Sequence, residues 1–189
     1  KISTSQTIGL CVDKQGNIWC GSYDGGVNMR PKWSKNIRLH RQKQDEKNSI
    51  GYGVVDDLCE DADGHLWVVS SGGGLSKISS DFNDAIHMSS SGQVPFNDKW
   101  YQAVERDRDN NLWFCGGRAS FMDWRTKAAK YLPGHPNQYL GRIWPRSALM
   151  SMSQDSLGTM WFGTTYQGLL RYNNDETVTA FQHDSSDSA

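Results

Sequence analysis

Tyr23, Asp24, Trp100, Tyr101, Arg118, Tyr139, Arg142, Trp144 and Tyr166 are residue types suited to gripping a polar ligand with a flat face. A sugar ring presents C–H faces that stack on aromatics, and its hydroxyls take hydrogen bonds from Arg and Asp. Arg also offers a planar fork to the carboxylate or sulfate groups of acidic sugars. The chemistry is therefore binding. The same residue types also pack loops, and no single one of them decides between the two roles.

Catalytic patterns are missing from the sequence. His40, His65, His87, His135 and His183 show no H-E-x-x-H spacing, and there is no G-x-S-x-G elbow and no phosphate-binding loop. No catalytic residue, metal ligand or cofactor is assigned. Asp61-Ala62-Asp63 and Asp107-Arg108-Asp109 hint at calcium, but a calcium loop needs more oxygens at set spacing and a terminal Glu. Turn formation is the better reading of these Asp. Cys11, Cys20, Cys59 and Cys115 form no C-x-x-C pair, which argues against zinc and dithiol chemistry. All four fall in predicted strands, where a thiol serves as a small hydrophobe.

The balance of charge excludes further classes. Lys and Arg total 20 against 21 Asp and Glu, for a formal net charge of −1, so there is no basic footprint for nucleic acid. No apolar run nears the roughly 20 residues of a membrane span. The chain opens on Lys1 with no signal peptide, as a processed chain or an excised piece would.

What positions the candidate residues is a repeat. Asp13-x-x-Gly16-x-Ile18-Trp19, Asp61-x-x-Gly64-x-Leu66-Trp67, Asp107-x-x-Asn110-x-Leu112-Trp113 and Asp155-x-x-Gly158-x-Met160-Trp161 are versions of one another. The tryptophans fall 48, 46 and 48 residues apart. Asp bonds the backbone two residues on, and Gly accepts positive φ, so each stretch predicts a tight reversal between two strands. Asn110 replaces Gly in the third copy and is the residue that best tolerates the left-handed region. A short apolar run follows each reversal, then a second, often Gly-rich turn and two more strands. Each unit therefore predicts four short antiparallel strands, with units at about 6–50, 51–97, 98–145 and 146–189.

Aligned positions define a shared core. Leu10, Leu58, Val104 and Met152 stand three before the Asp. Ile18, Leu66, Leu112 and Met160 stand one before the Trp, and Val27, Leu75, Phe121 and Leu169 eight after it. A four-stranded sheet of this size cannot bury its own faces, so neighbouring sheets must cover them, with the repeat Trp packed between. The predicted fold is all-β, four blades of a β-propeller. The linkers between units and the turns between second and third strands then gather on one face. The candidate binding residues lie in those segments or at their edges. The Asp turns lie on the opposite face.

With a Gly-Gly-Leu turn after the Asp-x-x-Gly-x-aliphatic-Trp run, the chain resembles the two-component regulator propeller repeats. Leu58 to Ile78 and Met152 to Tyr172 are the best copies, the second including Trp161-Phe162-Gly163-Thr164. Asn48-Ser49-Ile50 and Phe181-Gln182-His183-Asp184 are similar to the family's spacers. The resemblance implies the periplasmic sensor part of a hybrid histidine kinase of Bacteroidetes, many of which sense oligosaccharides. It implies a larger propeller of about seven blades. Expected partners are thus an oligosaccharide or other small ligand and further blades of the parent chain. A lone arc also predicts a homodimer through its open edges. Streptogramin lyases are similar in the same run, but they need a His, Glu and magnesium constellation that cannot be placed here. A purely structural interaction propeller is the remaining alternative.

Overall fold

A computed structural model describes residues 2, 5–23, 26–41, 49–88, 99–132 and 148–183. Blade one comprises β1 (Thr7–Val12), β2 (Ile18–Ser22), β3 (Val27–Arg30) and β4 (Arg38–His40). Blade two comprises β5 (Val54–Glu60), β6 (Leu66–Ser71), β7 (Gly74–Ile78) and β8 (Ala85–His87). Blade three comprises β9 (Tyr101–Arg106), β10 (Leu112–Gly116), β11 (Ser120–Met122) and β12 (Ala129–Tyr131). Blade four comprises β13 (Leu149–Gln154), β14 (Met160–Thr164), β15 (Leu169–Tyr172) and β16 (Val178–Phe181). Each blade is a separate four-stranded antiparallel sheet in chain order. First strands of consecutive blades lie beside one another. The fold is a β-propeller arc. No helix among the described residues is long and apolar enough to cross a membrane.

The repeat is explained by the role of its Asp. In every copy the Trp indole N–H donates to Asp Oδ2, at 2.8 Å for Trp19–Asp13, 2.9 Å for Trp67–Asp61, and 2.8 Å for both Trp113–Asp107 and Trp161–Asp155. Oδ1 accepts the backbone N–H four residues on, from Asn17, His65, Asn111 and Thr159. The backbone N–H of Gly16, Gly64, Asn110 and Gly158 closes the turn onto the Asp carbonyl. These four residues all have φ between 68° and 88°. The Asp thus fixes the turn and orients the Trp at once, which is why both recur at fixed spacing.

Trp19, Trp67 and Trp113 each pack forward onto the next blade. Trp19 clusters with Leu58 and Leu66, Trp67 with Val104 and Leu112, and Trp113 with Met152 and Met160. The innermost strands are also tied by hydrogen bonds. Asp57 Oδ2 accepts from Val104 N at 3.0 Å, joining blade two to blade three. Lys14 N donates to Glu60 Oε2 at 2.9 Å, and Arg108 N donates to Gln154 Oε1 at 3.0 Å in the equivalent place between blades three and four.

The shared core needs one correction. Leu58, Val104 and Met152 are buried as expected, but Leu10 is 68% exposed. Likewise Ile18 is 37% exposed although Leu66, Leu112 and Met160 are buried. At the other end Leu169 is 43% exposed and Trp161 is only partly buried. The cause is position. No described residue stands in front of blade one or behind blade four to cover these side chains.

Candidate ligand-binding face

Antiparallel order places the β2–β3 turns and the entries into first strands on one rim, and the Asp turns on the other. Tyr23 follows β2 and is exposed, with its N–H donating to Gln6 O at 3.2 Å. Tyr166 occupies the corresponding turn of blade four and is 86% exposed. That turn is held by Thr164, whose N–H and Oγ1 both donate to Gly168 O at 3.1 and 2.9 Å. Ser22 holds the blade-one turn in the same way through Gly26 O. In blade four a hydrogen-bonded turn therefore carries an exposed ring, an arrangement that lowers the ordering cost of stacking a ligand.

Trp100 is exposed at the entry to β9 and forms an isolated bridge with Ser71. Tyr101, the next residue, is wholly buried and is not a surface ligand contact. Strand alternation explains the correction: successive side chains point to opposite faces, so Tyr101 turns into the core between blades two and three, edge-on to Phe114 at 6.2 Å. Arg118 lies with its guanidinium 4.9 Å from the centre of the Tyr131 ring, so that face of the fork is already engaged. Asp24, Tyr139, Arg142 and Trp144 lie outside the described residues. The structure thus sets Tyr23, Trp100 and Tyr166 on one rim but on different blades.

Two residues were not singled out from sequence. Tyr52 is exposed beside the triple-Gly turn, and a Cβ on Gly72 would sit 3.4 Å from its ring. A Cβ on Gly73 would collide with the Tyr52 carbonyl. The Gly run is therefore a close-approach device that seats Tyr52. Gln102 donates through Nε2 to Ser71 Oγ at 2.7 Å, fixing the base of the Trp100 entry. The Gly72-Gly73-Gly74 run was the available signal for Tyr52.

Toward the opposite rim, where the first strands run into the Asp turns, they wall a hollow of about 320 Å³ lined by Cys11, Asp57, Glu60, Glu105 and Arg106, among others. Burial pushes the carboxyls of Asp57 and Glu105 up from their ordinary values. It also pushes the Cys11 thiol up to about 11 and the Cys59 thiol up to about 12. These thiols stay protonated at neutral pH and are poor nucleophiles. Carboxyls and an Arg on one wall can hydrogen-bond hydroxyl groups.

Residues 49–72 match the family model described as "Two component regulator propeller". The match covers one repeat unit. Its matched stretch includes the Tyr52 spacer, β5, the Asp61 turn and β6. Solved structures extend the likeness to nearly the whole chain. The extracellular domain of one B. thetaiotaomicron hybrid two component system superposes with TM-score 0.77 and 16% identity, over 96% of this chain and 25% of that one. A second from the same organism gives 0.74 and 16%, over 100% and 24%. A catalytically inactive virginiamycin B lyase from Staphylococcus aureus, with quinupristin, gives 0.71 and 12%, over 97% and 58%. The chain therefore spans little more than half of the lyase and about a quarter of the two extracellular domains. At these identities the likeness is one of fold. No curated protein sequence matches the chain.

Proposed function

We propose that this chain is a non-catalytic, ligand-binding part of the sensor propeller of a hybrid two-component regulator. It works outside the cytoplasm, in the periplasm, and its ligand is an oligosaccharide. Further blades of the parent chain continue the propeller. The observation that carries the reading is the contrast between two sets of aromatics. Trp19, Trp67 and Trp113 are buried between blades, whereas Tyr23, Tyr52, Trp100 and Tyr166 stand exposed on the rim opposite the Asp turns. Exposed rings gathered on one rim fit stacking on sugar faces. The regulator-propeller repeat supports the setting in a signalling protein.

Calorimetric titration with a panel of plant and host oligosaccharides tests this. One class is expected to bind, and Trp100→Ala and Tyr166→Ala are expected to weaken it at least about tenfold without lowering Tm. A panel without any binder, or variants that bind like the parent, would sink the reading. Magnesium-dependent turnover of a streptogramin would favour an enzyme on this fold instead, the alternative that the lyase likeness keeps in view.

A further inference from the structure

The first and third junctions between blades carry different residues at one equivalent turn position. Counted from the repeat Trp, Phe82 of blade two and Glu176 of blade four both stand 15 positions on. Both have left-handed backbones, with φ of 61° and 62°, and both N–H groups close a turn onto the residue three before, Ser79 O and Asn173 O. Phe82 lays its ring against Trp19 of the preceding blade, with centroids 4.6 Å apart. Glu176 occupies the same place relative to Trp113, and its carboxylate turns aside to pair with Lys130 at 2.7 Å. A groove of about 260 Å³ remains where the first junction holds a ring.

Trp113, Phe121 and Tyr172 line this groove, the last two edge-on to Trp113 at 4.8 and 5.7 Å. The Lys130–Glu176 pair lies at its mouth, with both side chains about half exposed. An ion pair in that setting is weak and easily opened. Burial, then the charge of Glu176, pushes the Tyr172 hydroxyl up. The lining thus joins an aromatic interior to one cation and one anion. The groove opens beside the Asp155 turn and the β15–β16 turn, away from the rim that carries Tyr23, Trp100 and Tyr166.

We propose that this groove is a second ligand site, taking a small molecule with one six-membered aromatic ring and a charged end group. The ring takes the place that Phe82 holds at the first junction. The end group exchanges with the Lys130–Glu176 pair. The site is independent of the oligosaccharide reading, because it shares no residue with that rim.

The test uses L-phenylalanine, 3-phenylpropanoate and 2-phenylethylamine as probes. The indole N–H resonance of Trp113, assigned by its loss in Trp113→Phe, is followed by NMR. At least one probe is expected to shift it saturably at about 1–10 mM, the range for so small a ligand. Glu176→Phe copies the first junction and is expected to abolish the shift and raise Tm. Phe121→Leu removes one wall and is expected to weaken binding at least fivefold, which keeps the test open if Glu176→Phe misfolds. The proposal is overturned if none of the probes gives a saturable shift, or if a folded Glu176→Phe or Phe121→Leu chain binds as well as the parent.

Discussion

Trp67 gives its indole N–H to Asp61 Oδ2 at 2.9 Å, and both residues are almost entirely out of water. The carboxylate also accepts from Asp63 N and His65 N, and Lys77 Nζ stands 3.6 Å from Oδ2. Asp61→Ala would strand three donors and leave Lys77 without its anion. The expected loss is about 1–3 kcal/mol from the buried Trp67 donor, with a smaller addition from the part-buried Asp63 and His65 N–H groups. Asp155 makes the same bonds at the open end, where water can replace them, so Asp155→Ala should cost clearly less. Urea unfolding of the two variants checks the order. Equal losses would mean that the turn, not the burial of the Asp–Trp pair, sets the energy.

The Asp turns make a second, opposite pair of predictions. Gly64 has φ of 85°, and a Cβ there would meet only ordinary contacts, Glu60 Oε1 and Ser80 Cβ at 3.6 Å. Gly64→Ala therefore isolates backbone strain and should cost about 1–2 kcal/mol. Asn110 holds the equivalent place with φ of 68°. Asn110→Gly relieves that strain but adds freedom to the unfolded chain, so the net gain should be at most about 1 kcal/mol. Thermal melts give both signs. A Gly64→Ala variant as stable as the parent would refute the strain account.

These turns also show why so much of the fold was legible. The Asp, the Gly or Asn, and the Trp are local in sequence and local in space, so their spacing carries the hairpin directly. Stacking of the units follows from the apolar faces. The direction of stacking does not: that Trp19 packs onto Leu58 rather than onto a blade before it needed coordinates, and so did the exposure of Leu10 and Ile18. The rim was harder still. Sequence places Tyr101 beside Trp100 among the candidate ligand contacts, because residue type alone says nothing of which face a strand residue takes. Tyr52 escaped notice because its partner is a run of backbone, not a side chain.

The part-buried thiols of Cys11 and Cys59 predict a stability that declines in alkali. Burial is the main cause of the upward shift, with Cys11 at about 11 and Cys59 at about 12, against an ordinary value near 9. The folded chain holds the proton that the unfolded chain gives up. Their contribution is therefore whole below pH 9 and is lost as pH rises from 9 toward 11 to 12. Tm measured from pH 8 to 10.5 should fall, and a Cys11→Ala, Cys59→Ala double variant should fall less steeply from its own starting value. At pH 8 both thiols should react with a thiol reagent far more slowly than a free cysteine. Reaction at the free rate would show that the strands open readily.

The last prediction concerns the two ends of the arc. Leu10, Val12 and Ile18 lie exposed on blade one, where Leu58 and Leu66 of blade two receive Trp19. Leu169 and Phe181 lie exposed on blade four, on the side of Trp161, whose counterparts are buried by a following blade. One end is thus built like a receiver and the other like an inserter, so this chain in isolation should self-associate, a homodimer being the first species. Leu10→Lys should leave folding stability within about 0.5 kcal/mol of the parent, as surface changes do, and shift sedimentation toward monomer. Leu58→Ala, at the equivalent but buried position, should instead cost about 2–4 kcal/mol. If the parent chain stays monomeric across the accessible concentration range, the ends do not attract one another.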